Sequence, residues 1–195
     1  KGFLKLKQPL LSKAILEKFV GNPKESNKVR LLQEFGQTLL DIAGFTGRPE
    51  ELEATEAYFD RIIELEPKNG QAHHYKGVIL TLRAQNMPGP DMDKQRNLRH
   101  SARDQFLQAI RFGYERPVTH TVIAQLYEAD GDAVNAEKHR DRYCELSATD
   151  TKCLLRHAEK LAIAGDVSGA KEAFTKLRET RALPDAEVFL KEGVS

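Results

Sequence analysis

The side chains with the greatest chemical potential in this chain of 195 residues are six histidines and two cysteines. Histidine binds metals or transfers protons near neutral pH, and a cysteine thiolate is a nucleophile or a metal ligand. His73 and His74 are adjacent, so on a helix they point about 100° apart and do not readily chelate one ion. Cys144 and Cys153 are nine positions apart, and the chain contains no CxxC motif. The sequence therefore predicts neither a metal site nor a cofactor.

The two cysteines fall near the end of one expected helix and the start of the next. The turn between Cys144 and Cys153 could bring their Cα atoms within the roughly 4.4–6.8 Å that a disulfide requires. Nothing in the sequence indicates an oxidising compartment, where disulfides persist. Free thiols are therefore predicted, and the cytoplasm is favoured over a periplasmic or membrane-anchored setting.

Five basic residues form a second chemically active group, namely Lys94, Arg96, Arg99, His100 and Arg103. Such a cluster could contact nucleic-acid phosphates. However, it is offset by Asp91 and Asp93 and lacks the interleaved aromatic side chains on which bases stack. The whole chain carries 30 Lys and Arg against 29 Asp and Glu, so no global field favours nucleic acid or a membrane surface. We expect a solvated insert at 85–99 without a nucleic-acid role, or an accessory contact surface.

Catalytic motifs are not found in the sequence. There is no HExxH, GxSxG, Walker or GxGxxG motif, and acid pairs such as Glu64 and Glu66 lie on ordinary charged helix faces. The recurring residues are of the kind that pack helices together. The chain is therefore predicted not to be an enzyme.

The elements that position these side chains are predicted to be helices. In "AEKHRDRYCEL" and "AKEAFTKLRET", alanine, aromatic and leucine residues recur at spacings of three and four. Proline and glycine fall between such stretches rather than inside them. The fold class is therefore all-α.

Two blocks, 117–150 and 151–184, align without a gap at an interval of 34 residues. Both blocks have a glycine, an aspartate directly after it and an alanine four positions further on, at matching places. The glycine can adopt the left-handed conformation that ends one helix, and the aspartate can cap the next helix. The alanines are small where two antiparallel helices must touch. Each block is thus predicted to be one helical hairpin, which needs a neighbour to bury its apolar face. The matching pairs are Gly131 and Gly165, Asp132 and Asp166, and Ala136 and Ala170.

This pattern resembles the tetratricopeptide repeat, which has a small residue at position 8, an aromatic residue at position 24 and a proline near position 32. The aromatic position holds Phe59, Phe106 and Phe174, whereas Arg140 replaces it in the third unit. Tyr143 stands where that unit should have a second small residue. The resemblance covers about residues 27–184. The small position is occupied by Gly36, Gly77, Ala124 and Ala158.

The resemblance implies an α-α superhelix, a solenoid of about four helical hairpins between a packing helix and a capping helix. Terminal helices of this kind cover apolar faces that would otherwise be exposed. The predicted organisation is an N-terminal tail and packing helix over 1–26, an array over 27–184 with units 27–69, 70–116, 117–150 and 151–184, and a C-terminal capping helix over 185–195.

The resemblance also implies a non-catalytic protein–protein interaction module or assembly scaffold that binds a partner segment in a concave groove. The expected partner is a protein or peptide, and an acidic one if Lys152 and Arg156 contact it. The alternative for Arg156 is an ion pair with Glu159. The groove residues carried over from the family pattern are Gln37, His74, Tyr75, Val78, Thr121, Gln125, Lys152 and Arg156.

A second class of function is an assembly subunit that uses its convex face or its ends. The chain starts at Lys1 rather than at methionine, and the opening "KGFLKLK" is rich in lysine. That opening is expected to be an ordered tail or the flank of a membrane anchor. An enzyme is the third reading, and it would require a deep polar pocket with converging perturbed groups.

Overall fold

The computed structural model describes residues 2–20, 22–23, 25–87, 89 and 91–179, and these residues form helices and connecting segments without a strand. The predicted capping helix at 185–195 lies outside the described residues. The helices are α1 (Gly2–Val20), α2 (Val29–Thr46), α3 (Pro49–Leu65), α4 (Gly70–Gln85), α5 (Met92–Arg111), α6 (Pro117–Ala129), α7 (Ala133–Leu146), α8 (Thr151–Ile163) and α9 (Val167–Glu179).

Local sequence determines where several helices begin. The side chain of Asn69 caps α4 by accepting a hydrogen bond of 3.0 Å from the backbone N–H of Ala72. Asp91 caps α5 in the same way, accepting from Lys94 at 3.0 Å. The third and sixth helices instead begin with a proline, whose fixed φ suits the first helical position. These caps separate the chain into the expected short helices.

The chain divides into two compact units, Lys1–Ala136 and Glu137–Ser195, and the division falls within α7. In the first unit α1 packs on α2, α2 pairs with α3, and α4 pairs with α5. One core cluster lies among α2, α3 and α4 and includes Leu32, Phe35, Phe59 and Ile79. A second cluster lies among α4, α5 and α6, around Phe106.

The repeat register predicted at the small and aromatic positions is confirmed in the first two hairpins. A Cβ added at Gly36 would lie 2.9 Å from the ring of Phe59, and one added at Gly77 would lie 2.9 Å from the ring of Phe106. Real Cβ atoms do not approach a ring so closely. Glycine therefore allows the paired helices to reach the separation at which the phenyl rings fill their interface.

The repeated Gly-Asp pair also behaves as predicted. Gly131 and Gly165 have φ values of 78° and 81°, in the left-handed region. The carboxylate of Asp132 accepts a hydrogen bond of 3.0 Å from the N–H of Asn135. Asp166 accepts a corresponding bond of 2.9 Å from the N–H of Gly169. The glycine ends one helix and the aspartate begins the next, in both copies.

Two expectations about element boundaries need correction. The insert expected at 85–99 is helical from Met92 onward, so the basic cluster lies along α5 rather than in a loop. The tail and packing helix expected over 1–26 form one helix, Gly2–Val20, which contains Pro9. The repeat pattern did not predict the first turns of α5, because it specifies only the turns that pack on a neighbouring helix, and it does not extend to α1.

Candidate functional site

The exposed face of α6 carries two of the predicted groove residues. Thr121 and Gln125 are both exposed and are four positions apart, so they share one side of the helix. Val122, beside them, and Val78 of α4 both pack against the second core cluster. Gln37 is half-buried on α2. The structure therefore brings Val78 of α4 and the Thr121–Gln125 face of α6 together around a shared apolar base.

His74 lies beneath this surface rather than on it. Its side chain is 7% exposed, and its Nδ1 shares a hydrogen bond of 3.1 Å with the hydroxyl of Thr119. Its ring lies against those of Phe106 and Tyr114, with centroids 5.5 and 5.2 Å away. Burial, and secondarily the charge of Arg116, lower the pKa of His74 from 6.5 to about 4. A neutral His74 thus supports this surface from inside.

Tyr75 is half-buried on α4 and stacks on Phe59, with ring centroids 5.3 Å apart. Burial raises the pKa of the Tyr75 hydroxyl, and the neighbouring Tyr114 raises it further. Gln71 and Arg116 lower this pKa, but the net shift is upward. The tyrosine therefore keeps its proton at neutral pH. It presents a hydrogen-bonding group held in place by an aromatic contact.

A cavity of about 210 Å³ opens between the C-terminal half of α4, the start of α5 and the exposed face of α6. We call it the Arg99 cavity, after the one charged residue in its wall. The predicted groove residue Gln125 lies at this cavity, but sequence reasoning did not foresee the cavity itself. Its lining residues are Thr81, Ala84, Gln85, Gln95, Arg99, Val122, Gln125, Leu126 and Ala129.

Asp130, at the end of α6, is the shared partner of three basic side chains beside the Arg99 cavity. This carboxylate accepts from Arg103 at 2.9 Å and from Arg99 at 3.5 Å, and His100 lies 3.0 Å away. The guanidinium of Arg103 also lies 4.6 Å from the ring centroid of Tyr127. Sequence reasoning missed Asp130 as the shared partner. The spacing of four between the two arginines, which places them on one helix face, was the available signal.

In the second unit, Arg156 is engaged within the protein. It pairs with Glu137 and with Asp141, the latter at 3.3 Å, and Lys160 joins the same acids. These partners are on α7, so the expected neutraliser Glu159 is not the one that the fold supplies. Lys152 is exposed. Of the two residues predicted to bind an acidic ligand, Lys152 is exposed, whereas Arg156 is partly buried and paired within the protein.

The prediction that Cys144 and Cys153 are free thiols is wrong in this structure. Cys144 and Cys153 form a disulfide with Cα atoms 5.1 Å apart, joining the last turn of α7 to the first turn of α8. The adjacent Tyr143 donates a hydrogen bond of 3.0 Å to Asp150, which raises the pKa of that tyrosine. The sequence indicated that the Cα atoms of the two cysteines could lie close enough for a disulfide. Which side chains face each other across the turn, however, depends on the packing of the two helices.

Metal and membrane sites were sought in the described part of the chain. Within it, no group of three or more His, Cys, Asp or Glu side chains could hold a metal ion. None of the described helices combines the length and the apolar character needed to cross a membrane.

Solved structures with this arrangement of helices include two of MamA. One, a MamA RS-1 ArsTM double mutant, is 16% identical with a TM-score of 0.58, covering 90% of this chain and 86% of that one. The other is 15% identical with a TM-score of 0.55, covering 89% and 86%. A human IFIT1 dimer with PPP-AAAA is 12% identical with a TM-score of 0.62, covering 93% of this chain and 42% of that one.

Protein-family models and curated proteins gave no match to this sequence. At identities of 12–16% the solved structures show the fold alone. That fold is a helical repeat of the tetratricopeptide type, as the sequence predicted.

Proposed function

We propose that this chain is a non-catalytic protein-interaction module or assembly scaffold, and that its first unit binds a partner segment along α4 and α6. The observation that carries the proposal is the exposed pair Thr121 and Gln125 on one side of α6, where Gln125 also lines the Arg99 cavity. The neighbouring helix surfaces in this unit pack on one another through the two core clusters. Repeat folds of this type, in the resemblance described above, bind protein segments along their first helices.

Each predicted groove residue of the first unit has a role in this proposal. Tyr75 and Gln125 offer polar contacts, Val78 offers an apolar one, and His74 fixes the base of the surface without touching the partner. Gln37 and Thr121 extend the contact along α2 and α6. In the second unit, Lys152 is the cation available to an acidic partner, because Arg156 is held by Glu137 and Asp141.

The test begins by isolating partners with the tagged protein and mass spectrometry, and then measures affinity for the purified partner by calorimetry. The variant Thr121→Arg/Gln125→Arg obstructs the exposed face of α6. We expect it to bind at least about tenfold more weakly, because large charged side chains would occupy the contact. Asn97→Arg/Ser101→Arg is the matched control, since it adds the same charge at the same spacing on the exposed side of α5.

Equal affinities for the two double variants would place the interface elsewhere. A partner that bound normally to both variants would then have to use α1, the second unit or another surface. A folded protein that captured no specific protein under any condition would contradict the proposal as a whole.

A second candidate, an assembly subunit that uses its ends, is favoured by α1. Leu11, Ile15 and Phe19 lie four positions apart along this helix and are 63%, 53% and 59% exposed. An apolar stripe of this kind marks an interaction surface. The Cys144–Cys153 disulfide also supports this candidate, because disulfides persist in oxidising compartments such as the periplasm.

Light scattering tests this second candidate. If the protein associates through α1, Phe19→Glu should reduce its assembly, whereas Phe45→Glu, at a 53% exposed position on α2, should not. A monomeric wild-type protein, or equal association of both variants, would argue against self-assembly through α1.

A further inference from the structure

The Arg99 cavity has the size of a side-chain pocket. Its volume of about 210 Å³ lies below the roughly 300–1,000 Å³ of small-molecule and cofactor sites. Part of its wall is apolar, from Ala84, Val122, Leu126 and Ala129, and would suit a methylene stem. The cavity therefore fits one flexible side chain of a partner better than a whole cofactor.

Arg99 has hydrogen-bonding capacity to spare at this wall. A guanidinium has five N–H donors, and Arg99 uses one on Asp130 at 3.5 Å and one on Gln95 at 3.3 Å. Both distances exceed the 2.7–3.2 Å of normal N–H···O bonds. Among the described residues Nη2 has no hydrogen-bond partner, and this atom is reachable from solvent although the side chain is only 17% exposed. A half-buried guanidinium with unused donors is suited to a planar carboxylate.

The local charge also favours an anion. Asp130 is a single carboxylate that the guanidinium groups of Arg99 and Arg103 share, so these three groups together carry one net positive charge. Lys94 and Arg96 lie toward the start of the same helix, and Arg96 is only 3.9 Å from Asp93. The single excess charge matches a monoanionic carboxylate better than a multiply charged phosphate chain.

We infer that the Arg99 cavity binds the side chain of a glutamate in the partner segment, with the carboxylate on Arg99 and the methylene groups against the apolar wall. The amides of Gln85 and Gln125 stand at the same cavity and supply further donors. This inference rests on the proposed function, and it specifies the acidic partner that the sequence left open.

The experiment uses short capped alanine peptides that carry one glutamate or one glutamine and are otherwise identical. Each peptide is titrated into the isotopically labelled full chain, and binding is followed by NMR shifts of the backbone amides along α4, α5 and α6. We expect saturable shifts around the Arg99 cavity, with the glutamate peptide bound at least about tenfold more tightly than the glutamine peptide. Raising the salt concentration should reduce that preference.

Two variants and one control locate the effect. Arg99→Gln should remove the preference for glutamate, and Ala129→Leu should block the cavity without changing any charge. Arg96→Gln is the matched control, because it removes the same charge from the same helix at a residue outside the cavity. Circular dichroism melts establish that each variant is folded, and if Arg99→Gln unfolds, Ala129→Leu carries the test.

Equal binding of the two peptides, or no binding of either, would overturn the inference. It would also be overturned if Arg96→Gln weakened binding as much as Arg99→Gln, or if a 5′-triphosphorylated oligoadenylate competed more strongly than the glutamate peptide. The latter results would indicate a general anion or nucleic-acid surface on α5.

Failure of this inference is distinguishable from failure of the proposed function. If an isolated partner protein loses affinity for Thr121→Arg/Gln125→Arg but binds Arg99→Gln normally, the interaction module stands and the glutamate pocket does not. If the glutamate peptide binds through Arg99 but no partner protein is captured, the cavity is a carboxylate site and the proposed module is wrong.

Discussion

The ring of Phe106 lies 2.9 Å from the point that a Cβ on Gly77 would occupy. Gly77 is on α4 and Phe106 is on α5, so this contact sets the separation of the two helices in their hairpin. Phe106 is fully buried and belongs to the core cluster that also underlies the exposed face of α6. The surface proposed to bind a partner therefore stands on this glycine–phenylalanine contact.

Gly77→Leu should lower the free energy of unfolding by about 1–3 kcal/mol, because the added side chain overpacks the contact with Phe106. Chemical denaturation of the two proteins measures the difference. Gly44→Ala is the control, since a Cβ there meets its nearest neighbour, Leu82, only at 3.9 Å. An unchanged midpoint for Gly77→Leu would contradict the close packing of α4 and α5.

Gly165→Ala should lower the free energy of unfolding by about 1–2 kcal/mol for a different reason. The added Cβ would meet no atom within 4 Å, but φ is 81°, a conformation that L-residues with a side chain avoid. The helical control Gly44→Ala should instead raise stability by about 0.5–1 kcal/mol, because alanine loses less backbone entropy on folding. Thermal unfolding of both variants checks the opposite signs. Equal shifts would show that the turn tolerates alanine.

Removing the disulfide should destabilise the second unit by about 2–3 kcal/mol. Cys144 and Cys153 are nine positions apart, so the bond closes a short loop and restricts the unfolded chain only moderately. Cys144→Ala/Cys153→Ala and chemically reduced wild type should unfold at a similar, lower denaturant concentration. The native mass should be that of the chain with two hydrogens missing. Two alkylated thiols in the unreduced native protein would restore the original prediction of free cysteines.

Acidification should weaken the fold through His74. The unfolded chain takes up this proton near the ordinary pKa of 6.5, whereas the folded protein does so only near pH 4. Between these values the unfolded state binds more protons, so stability falls as the pH is lowered from about 6.5 to about 4. The contribution that is present above pH 6.5 and lost at pH 4 is about 3 kcal/mol.

Urea unfolding of wild type and His74→Gln at several pH values isolates this effect, because the carboxylates contribute similarly to both proteins. The variant should lose less stability on acidification, whatever its stability at pH 7. His100→Gln, at a half-exposed histidine beside Asp130, serves as the comparison. Parallel pH curves for His74→Gln and wild type would show that the buried histidine is not the cause.

Much of the fold could be predicted from local chemistry. Gly131 and Gly165 can take a positive φ, and the aspartates after them can cap the next helix, so the sequence indicates the same turn twice. The repeat pattern likewise assigned Gly36 and Gly77 to the small position and Phe59 and Phe106 to the aromatic one, and the structure packs each phenyl ring against its glycine. These features depend on neighbours within one hairpin, and such spacing is visible in the chain.

The candidate site depended on contacts that spacing does not reveal. The repeat pattern placed His74 in the groove, but its ring is buried against Phe106 and Tyr114. Arg156 pairs with acids of the preceding helix rather than with Glu159. A helix period fixes the direction of a side chain, whereas its burial and its partner depend on the helices that approach it.

The sequence by itself therefore determined the all-α fold class, the repeated Gly-Asp turn and the pairing of α2 with α3, α4 with α5 and α8 with α9, because each follows from residues close together in the chain. Only the tertiary structure brought Asp130 to Arg99 and Arg103 and left a cavity beside them. The partners of Asp130 lie 27 and 31 positions earlier, on another helix. Long charged side chains can reach several acids, and which one they meet is decided by the packing of α5 against α6.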